Sequence, residues 1–180
     1  MKLARPATTA TDITTAPTPA KPPIVTVGVS DARASANAAA VIATYSLGSC
    51  IGVCAYDATA RVAGLLHFQL PTGSLDPARA AECPAMFADT GFDLLMRAVE
   101  RLGGLPARCR VRLVGGAQIL DDNNTFDIGR RNHTAIRKVL WKKGLFVHGE
   151  AVGGNTARTV YLHVADGRLV IKSNGTTTEL

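Results

Sequence analysis

Two residues of this chain have the types and spacing for acyl-transfer chemistry. Cys50 lies in Thr44-Tyr45-Ser46-Leu47-Gly48-Ser49-Cys50-Ile51-Gly52-Val53, and His67 follows seventeen residues later in Gly64-Leu65-Leu66-His67-Phe68-Gln69-Leu70-Pro71. A thiol becomes a competent nucleophile when a neighbouring imidazole takes its proton. Gly48, Ser49 and Gly52 keep the surroundings of Cys50 uncrowded and let a substrate approach backbone N–H groups, the donors that a tetrahedral oxyanion needs. The pair points to a thiol amidohydrolase. The ordinary alternative is a free cysteine packed as a small hydrophobe, a common fate of that residue type.

Register decides whether the two side chains meet. Ile51 to Tyr56 and Arg61 to Leu70 read as strands of a hairpin around Asp57-Ala58-Thr59-Ala60. With the turn centred between Ala58 and Thr59, Tyr56 faces Arg61, Cys54 faces Ala63, Gly52 faces Leu65 and Cys50 faces His67, with opposed β-carbons roughly 5 Å apart. A slip of one residue would put thiol and imidazole on opposite faces.

The remaining thiols and imidazoles carry weaker signals. Cys54 shares the predicted face of Cys50, Cys83 begins a helix-like segment, and Cys109 sits among Arg108, Arg110 and Arg112, where cations favour a thiolate, but neither of the last two has a base nearby. No paired Cys-x-x-Cys knuckle is present, which argues against zinc and leaves no metal or cofactor in the expectation. His133, His148 and His163 read as one helix-start residue and two strand residues with ordinary structural roles.

The elements that must position the pair follow from periodicity. Ile24 to Gly28 and Ala39 to Tyr45 read as strands, Ser74 to Pro84 as a surface loop, and Met86 to Leu102 as an amphipathic helix closed by Gly103-Gly104. Cys109 to Val114 reads as a strand. A second helix begins with Asn132 as N-cap and ends near Lys142-Lys143. Leu145 to Val152, Thr159 to Val164 and Leu169 to Lys172 read as strands, the last two joined by the hairpin signal Asp166-Gly167. Strands joined by turns and two main helices predict an α+β domain, a layered sandwich with a mixed, largely antiparallel sheet.

At 180 residues with 47% hydrophobic content and 19% charged, the chain can build one substantial core, expected over residues 24–180. Residues 1–23 are rich in Thr, Ala and Pro and are expected to be a disordered tail without the apolar core of a signal peptide. No stretch approaches the length of about 18 apolar residues that a membrane helix needs. A cytoplasmic protein with its four cysteines kept as thiols is expected. The net charge of +6 favours acidic partners, whereas 5% aromatic content and the lack of a nucleic-acid motif argue against DNA or RNA.

In order along the chain, Leu47-Gly48-Ser49-Cys50, His67-Phe68-Gln69-Leu70-Pro71, Ala88-Asp89-Thr90, Val114-Gly115-Gly116-Ala117, Ile128-Gly129-Arg130-Arg131-Asn132 and Val152-Gly153-Gly154 resemble the chemoreceptor glutamine deamidases, the CheD family of bacterial and archaeal chemotaxis. The resemblance runs from about residue 24 to about residue 172. It implies deamidation of glutamines on chemoreceptor cytoplasmic helices to glutamates through a Cys50 thiolate and a thioester, with His67 as the catalytic histidine. It also implies Thr44 as third member of a Cys-His-Thr triad, and a CheC-type phosphatase as a possible partner. A mainly regulatory domain docking on that phosphatase or on receptors is the alternative in another class, and hydrolysis of a free small amide is a third. Ala151 and Ala157 depart from the Asp and Gly that the family pattern suggests.

Thr44 poses a geometric condition, because six residues of extended strand would carry it roughly 20 Å from Cys50. Either the chain bends at Ser46 to Ser49, with Gly48 the residue that makes a bend inexpensive, or the Thr44 strand lies beside the His67 strand.

Overall fold

The central strands of the molecule are apolar on both faces, and two different layers cover them. In this computed structural model, which describes residues 21–118 and 127–180, strands β1 (Ile24–Thr26), β2 (Asp31–Ser35), β3 (Val41–Leu47), β4 (Ile51–Asp57) and β5 (Val62–Phe68) come first. Every residue of β4 and β5 is buried, as expected of strands enclosed from both sides. Helices α1 (Pro77–Glu82) and α2 (Ala88–Arg101) follow, then β6 (Arg110–Gly115), α3 (Ile128–Lys142), β7 (Val147–Val152), β8 (Arg158–His163), β9 (Leu169–Ser173) and β10 (Thr176–Glu179).

The strands form two five-stranded sheets, ordered β2-β5-β4-β6-β7 and β1-β3-β8-β9-β10. Pairing is antiparallel except between β1 and β3 and between β6 and β7. The first sheet is the middle layer. Ile51, Val53, Val62, Leu66 and Phe68 point outward into a core with Phe92, Leu95 and Val99 of α2 and Ile136 and Leu140 of α3. Cys54, Tyr56, Ala63 and Leu65 point inward into a second core with Ile42, Leu47, Val160, Leu162 and Ile171. The alternation along β4 and β5 thus separates a helix face from a sheet face. The fold is the expected α+β sandwich with mixed, largely antiparallel pairing.

Several boundaries differ from the sequence expectation. The β4–β5 register is shifted by two residues: Gly52 pairs with His67, Cys54 with Leu65 and Tyr56 with Ala63. The shift arises at the turn, where the Asp57 carboxylate accepts hydrogen bonds from the N–H groups of Thr59 (3.0 Å) and Ala60 (3.2 Å), and Arg61 adopts φ 52°. These contacts hold a four-residue loop between Asp57 and Val62. Because the shift is even, His67 remains on the predicted face.

Strands β2 and β10 are not expected from the sequence; both lie at sheet edges, where β2 alternates only the small Ala32 and Ala34 with Asp31, Arg33 and Ser35, and β10 carries polar residues throughout. The supposed loop at Ser74 to Pro84 contains α1, whose N-cap Asp76 accepts from Arg79 N–H at 2.9 Å. The second helix starts earlier than expected: Asp127 is its N-cap, and Asn132 lies within it, fully buried. The expected N-terminal tail falls outside the described residues apart from residues 21–23, which are not helix or strand.

Candidate active site

His67 reaches across the sandwich to the second sheet. Its Nδ1 lies 2.8 Å from Thr44 Oγ1, and the Thr44 hydroxyl donates at 2.8 Å to the Val27 carbonyl. A hydroxyl has one proton, so the oxygen that donates to Val27 must accept from His67. Nδ1 therefore carries the ring hydrogen, and Nε2 keeps its lone pair. Thr44 is fully buried and His67 is 1% exposed. Nε2 makes no hydrogen bond to Cys50 or to any other described residue.

The chain brings Thr44 to this position by changing sheets. Beyond Thr44 the β3–β8 register is interrupted, Ser46 takes φ 56°, and the segment up to Ser49 carries the backbone from one sheet to the other. The bend demanded by Thr44 is present, and the left-handed residue in it is Ser46 rather than Gly48.

Cys50 stands just before β4, two residues before Gly52 of the Gly52–His67 pair, part-buried and packed against the inter-sheet core. It is therefore a diagonal neighbour of His67 and not the directly opposed residue that the hairpin reading placed there. The segment that follows β6 fixes its backbone twice: the Cys50 carbonyl accepts from Gly116 N–H at 2.8 Å, and the Gly48 carbonyl accepts from Ala117 N–H at 2.8 Å. Asn132, on α3, supplies a further tie. Its Nδ2 donates to the Ser49 carbonyl at 3.1 Å and to the Gln69 carbonyl at 2.8 Å.

Burial governs the protonation of the pair. It pushes the Cys50 thiol above its ordinary value, opposed in part by a hydrogen bond from the residue's own N–H, and it lowers His67 to about 4. At neutral pH the pair rests as neutral thiol and neutral imidazole. A thiol in this state becomes a nucleophile only by giving up its proton, and an unprotonated Nε2 has a lone pair able to accept one.

The other candidates lie elsewhere. Cys54 is fully buried opposite Arg112, with a thiol pushed up to about 12 by burial. Cys109 donates to the Leu105 carbonyl at 3.5 Å and is pushed up to about 11, by burial and then by the nearby Asp57 carboxylate. His133 Nε2 lies 3.2 Å from Glu150, His148 Nδ1 accepts from Val111 N–H at 3.2 Å, and His163 Nδ1 is 3.4 Å from an Arg168 nitrogen. Among the described residues, no three of His, Cys, Asp and Glu converge to hold a metal ion. Sequence reasoning missed two participants: the Val27 carbonyl, which no side-chain pattern marks, and the interior position of Asn132.

Comparison with known proteins gives the family of the chain. The family model described as CheD chemotactic sensory transduction matches residues 69–173. The chain belongs to the CheD family. The match begins after His67, so the assignment over that segment does not draw on Thr44, Cys50 or His67. Similarity to curated CheD proteins extends further. A Solibacter usitatus protein named probable chemoreceptor glutamine deamidase CheD is 47% identical over 156 residues, covering 87% of this chain and 92% of that protein. The Syntrophus aciditrophicus protein named probable chemoreceptor glutamine deamidase CheD 1 is 46% identical over 84% of this chain and 94% of its own length. A CheD 2 protein of Anaeromyxobacter dehalogenans is 43% identical over 83% and 94%. No described helix is long and apolar enough to cross a membrane.

Proposed function

We propose that this chain is a protein-glutamine deamidase of the cytoplasm that converts glutamine side chains of chemoreceptors to glutamates, with Cys50 as nucleophile, His67 as base and Thr44 as the residue that orients the ring. One observation carries the assignment of roles: the hydrogen-bond chain from His67 Nδ1 through Thr44 to the Val27 carbonyl, which leaves a buried, unprotonated Nε2 on the face that Cys50 shares.

The reaction begins as the Cys50 S–H proton passes to Nε2 and the sulfur bonds to the carboxamide carbon. The carbonyl oxygen takes the charge, and collapse of this adduct breaks the C–N bond while imidazolium protonates the departing nitrogen, giving ammonia and a thioester. His67 then takes a proton from water as its oxygen attacks the thioester. The C–S bond breaks, the proton returns to sulfur, and glutamate leaves. Closure of the Cys50–Nε2 distance accompanies substrate binding, when such contacts tighten.

Mass spectrometry of a chemoreceptor cytoplasmic fragment tests the reading. The wild-type protein should add about 1 Da at selected glutamines, and Cys50→Ala should add none. Modification that persists with Cys50→Ala would overturn the nucleophile. A CheC-type phosphatase competes with the receptor fragment in this reading: adding it should slow modification while Cys50 remains intact.

A further inference from the structure

Asn132 is placed to control the geometry of a reaction it does not touch. Its carboxamide is fully buried, and both amide hydrogens are used: one on the carbonyl of Ser49, the residue before Cys50, the other on the carbonyl of Gln69, two residues after His67. Those two carbonyls lie at the end of the β4–β5 pair, beyond its last paired residues Ile51 and Phe68, where the ladder no longer holds the strands together. A flipped amide would set Oδ1 against two carbonyl oxygens, so the orientation of the group is fixed by its partners.

We infer that Asn132 is a positioning residue that holds the Cys50 thiol in register with His67, an inference that rests on the roles proposed above for those two residues. The arrangement has a cost that a packing role would avoid. Asn132 Oδ1 is buried without a hydrogen-bond partner among the described residues, and an apolar side chain of similar size would leave no such oxygen. The helix is also seated for this contact. Gly129, one turn before Asn132, lies against the Gly116 carbonyl, where a side chain would collide, and Gly116 N–H holds the Cys50 carbonyl. The approach of α3 to the Cys50 segment is thus made close by Gly129 and joined by Asn132. A displacement of about 1 Å at a reacting centre is enough to slow a step on the order of a hundredfold.

The test uses the full chain and three readouts: steady-state kinetics on a chemoreceptor fragment, the rate of Cys50 alkylation by iodoacetamide across pH, and urea unfolding. Asn132→Ala should lower kcat by about tenfold or more, leave KM within about twofold, and slow Cys50 alkylation near neutral pH, with loss of the portion of the pH profile that follows His67. Asn132→Asp, which keeps the shape but faces two carbonyls with oxygen, should do the same. A lowered urea midpoint with kcat and alkylation unchanged would overturn the inference in favour of a purely structural role. Should Asn132→Ala not fold, Asn132→Ser carries the same readouts. In the wild-type protein, the Asn132 amide hydrogens should exchange with solvent as slowly as core amides, and exchange at the rate of a free amide would also overturn it. The two readings fail separately. Full activity in Cys50→Ala removes the proposed nucleophile, whereas an inactive Cys50→Ala beside an unimpaired Asn132→Ala removes only the role of Asn132.

Discussion

Gly52 lies directly across the β4–β5 ladder from His67, and a β-carbon at Gly52 would stand 2.9 Å from Leu47 Cδ1. The position next to the imidazole therefore has no room for a side chain unless the fully buried Leu47 moves. Gly52→Ala should destabilise the fold by ~1–3 kcal/mol through overpacking and lower turnover by pushing Leu47 out of place beside the Gly52–His67 pair. Urea unfolding and deamidation rates measured on the same preparation check both effects, and unchanged turnover would separate Gly52 from the site.

Removal of the Thr44 hydroxyl takes away the acceptor for His67 Nδ1 and the donor to the Val27 carbonyl together. Thr44→Val should cost about 1–3 kcal/mol of stability, the penalty for leaving buried polar groups unpaired. With the ring no longer held in one tautomer, kcat should fall at least tenfold, while Thr44→Ser retains most of it. Nitrogen NMR of His67 reads the tautomer: loss of the Nδ1–H form in Thr44→Val is the expected result, and its persistence with full activity would refute the orienting role.

The pH dependence follows from the burial of His67. Its folded value of about 4 lies below the ordinary 6.5, so between these limits the unfolded chain binds the extra proton and unfolding gains. The His67 contribution to stability is fully present above about pH 6.5, declines as pH falls, and is lost below about 4, an effect of up to ~3 kcal/mol. His67→Gln should flatten this part of the urea-midpoint profile between pH 7 and 4. The acid limb of kcat/KM should likewise fall near pH 4, because protonated Nε2 cannot accept the thiol proton.

Thiol labelling should divide the cysteines by depth. Cys54 and Cys109 are buried with thiols pushed to about 12 and about 11, whereas Cys50 and Cys83 are part-buried. Iodoacetamide should modify Cys50 and Cys83 in the folded protein and reach the other two only in urea. Peptide mapping of the labelled sites decides the point.

Asp57 acts at a distance from the chemistry. Besides Thr59 and Ala60, it accepts hydrogen bonds from Leu105 N–H at 2.9 Å and from the Arg108 guanidinium at 2.7 Å. Burial raises its pKa, but these bonds outweigh burial and bring it to about 2, so its stabilisation is present above about pH 3.8 and lost as pH falls toward 2. Asp57→Ala should cost about 2–4 kcal/mol, since it leaves donors unpaired and frees the turn that sets the β4–β5 register. Turnover should fall with it, and equal activity at equal folded fraction would count against the register argument.

The contrast between Asp57 and His67 shows what the residues alone disclose. Apolar spacing in Leu94, Leu95, Ala98, Val99 and Leu102 marks α2, and Asp166-Gly167 marks the β8–β9 hairpin, because both signals are local. Register is not local in the same way. Asp57-Ala58-Thr59-Ala60 has no strong primed-turn residues, and the loop is decided by Asp57 bonding backward into its own turn and sideways to Arg108. The face shared by Cys50 and His67 was legible, since an even shift preserves it, while their diagonal relation was not. Thr44 entered only through family resemblance: its partner is 23 residues away in the other sheet, beyond the reach of any periodicity. Asn132 reads as a cap in the sequence because Asn favours that position; Asp127, five residues earlier, holds it instead.

The transfer of the chain between sheets at Ser46 to Ser49 has a mechanical consequence. The imidazole rides on one sheet and its hydroxyl anchor on the other, so the Thr44–His67 bond works as a caliper across the sandwich. Each ladder can remain intact while the two layers loosen, because ladder hydrogen bonds run within a sheet and, apart from the connecting segments, side chains interlock between them. Mild denaturant or acid that loosens this interlock should silence the protein while its far-ultraviolet circular dichroism stays native, making turnover a gauge of sheet-on-sheet alignment rather than of strand content.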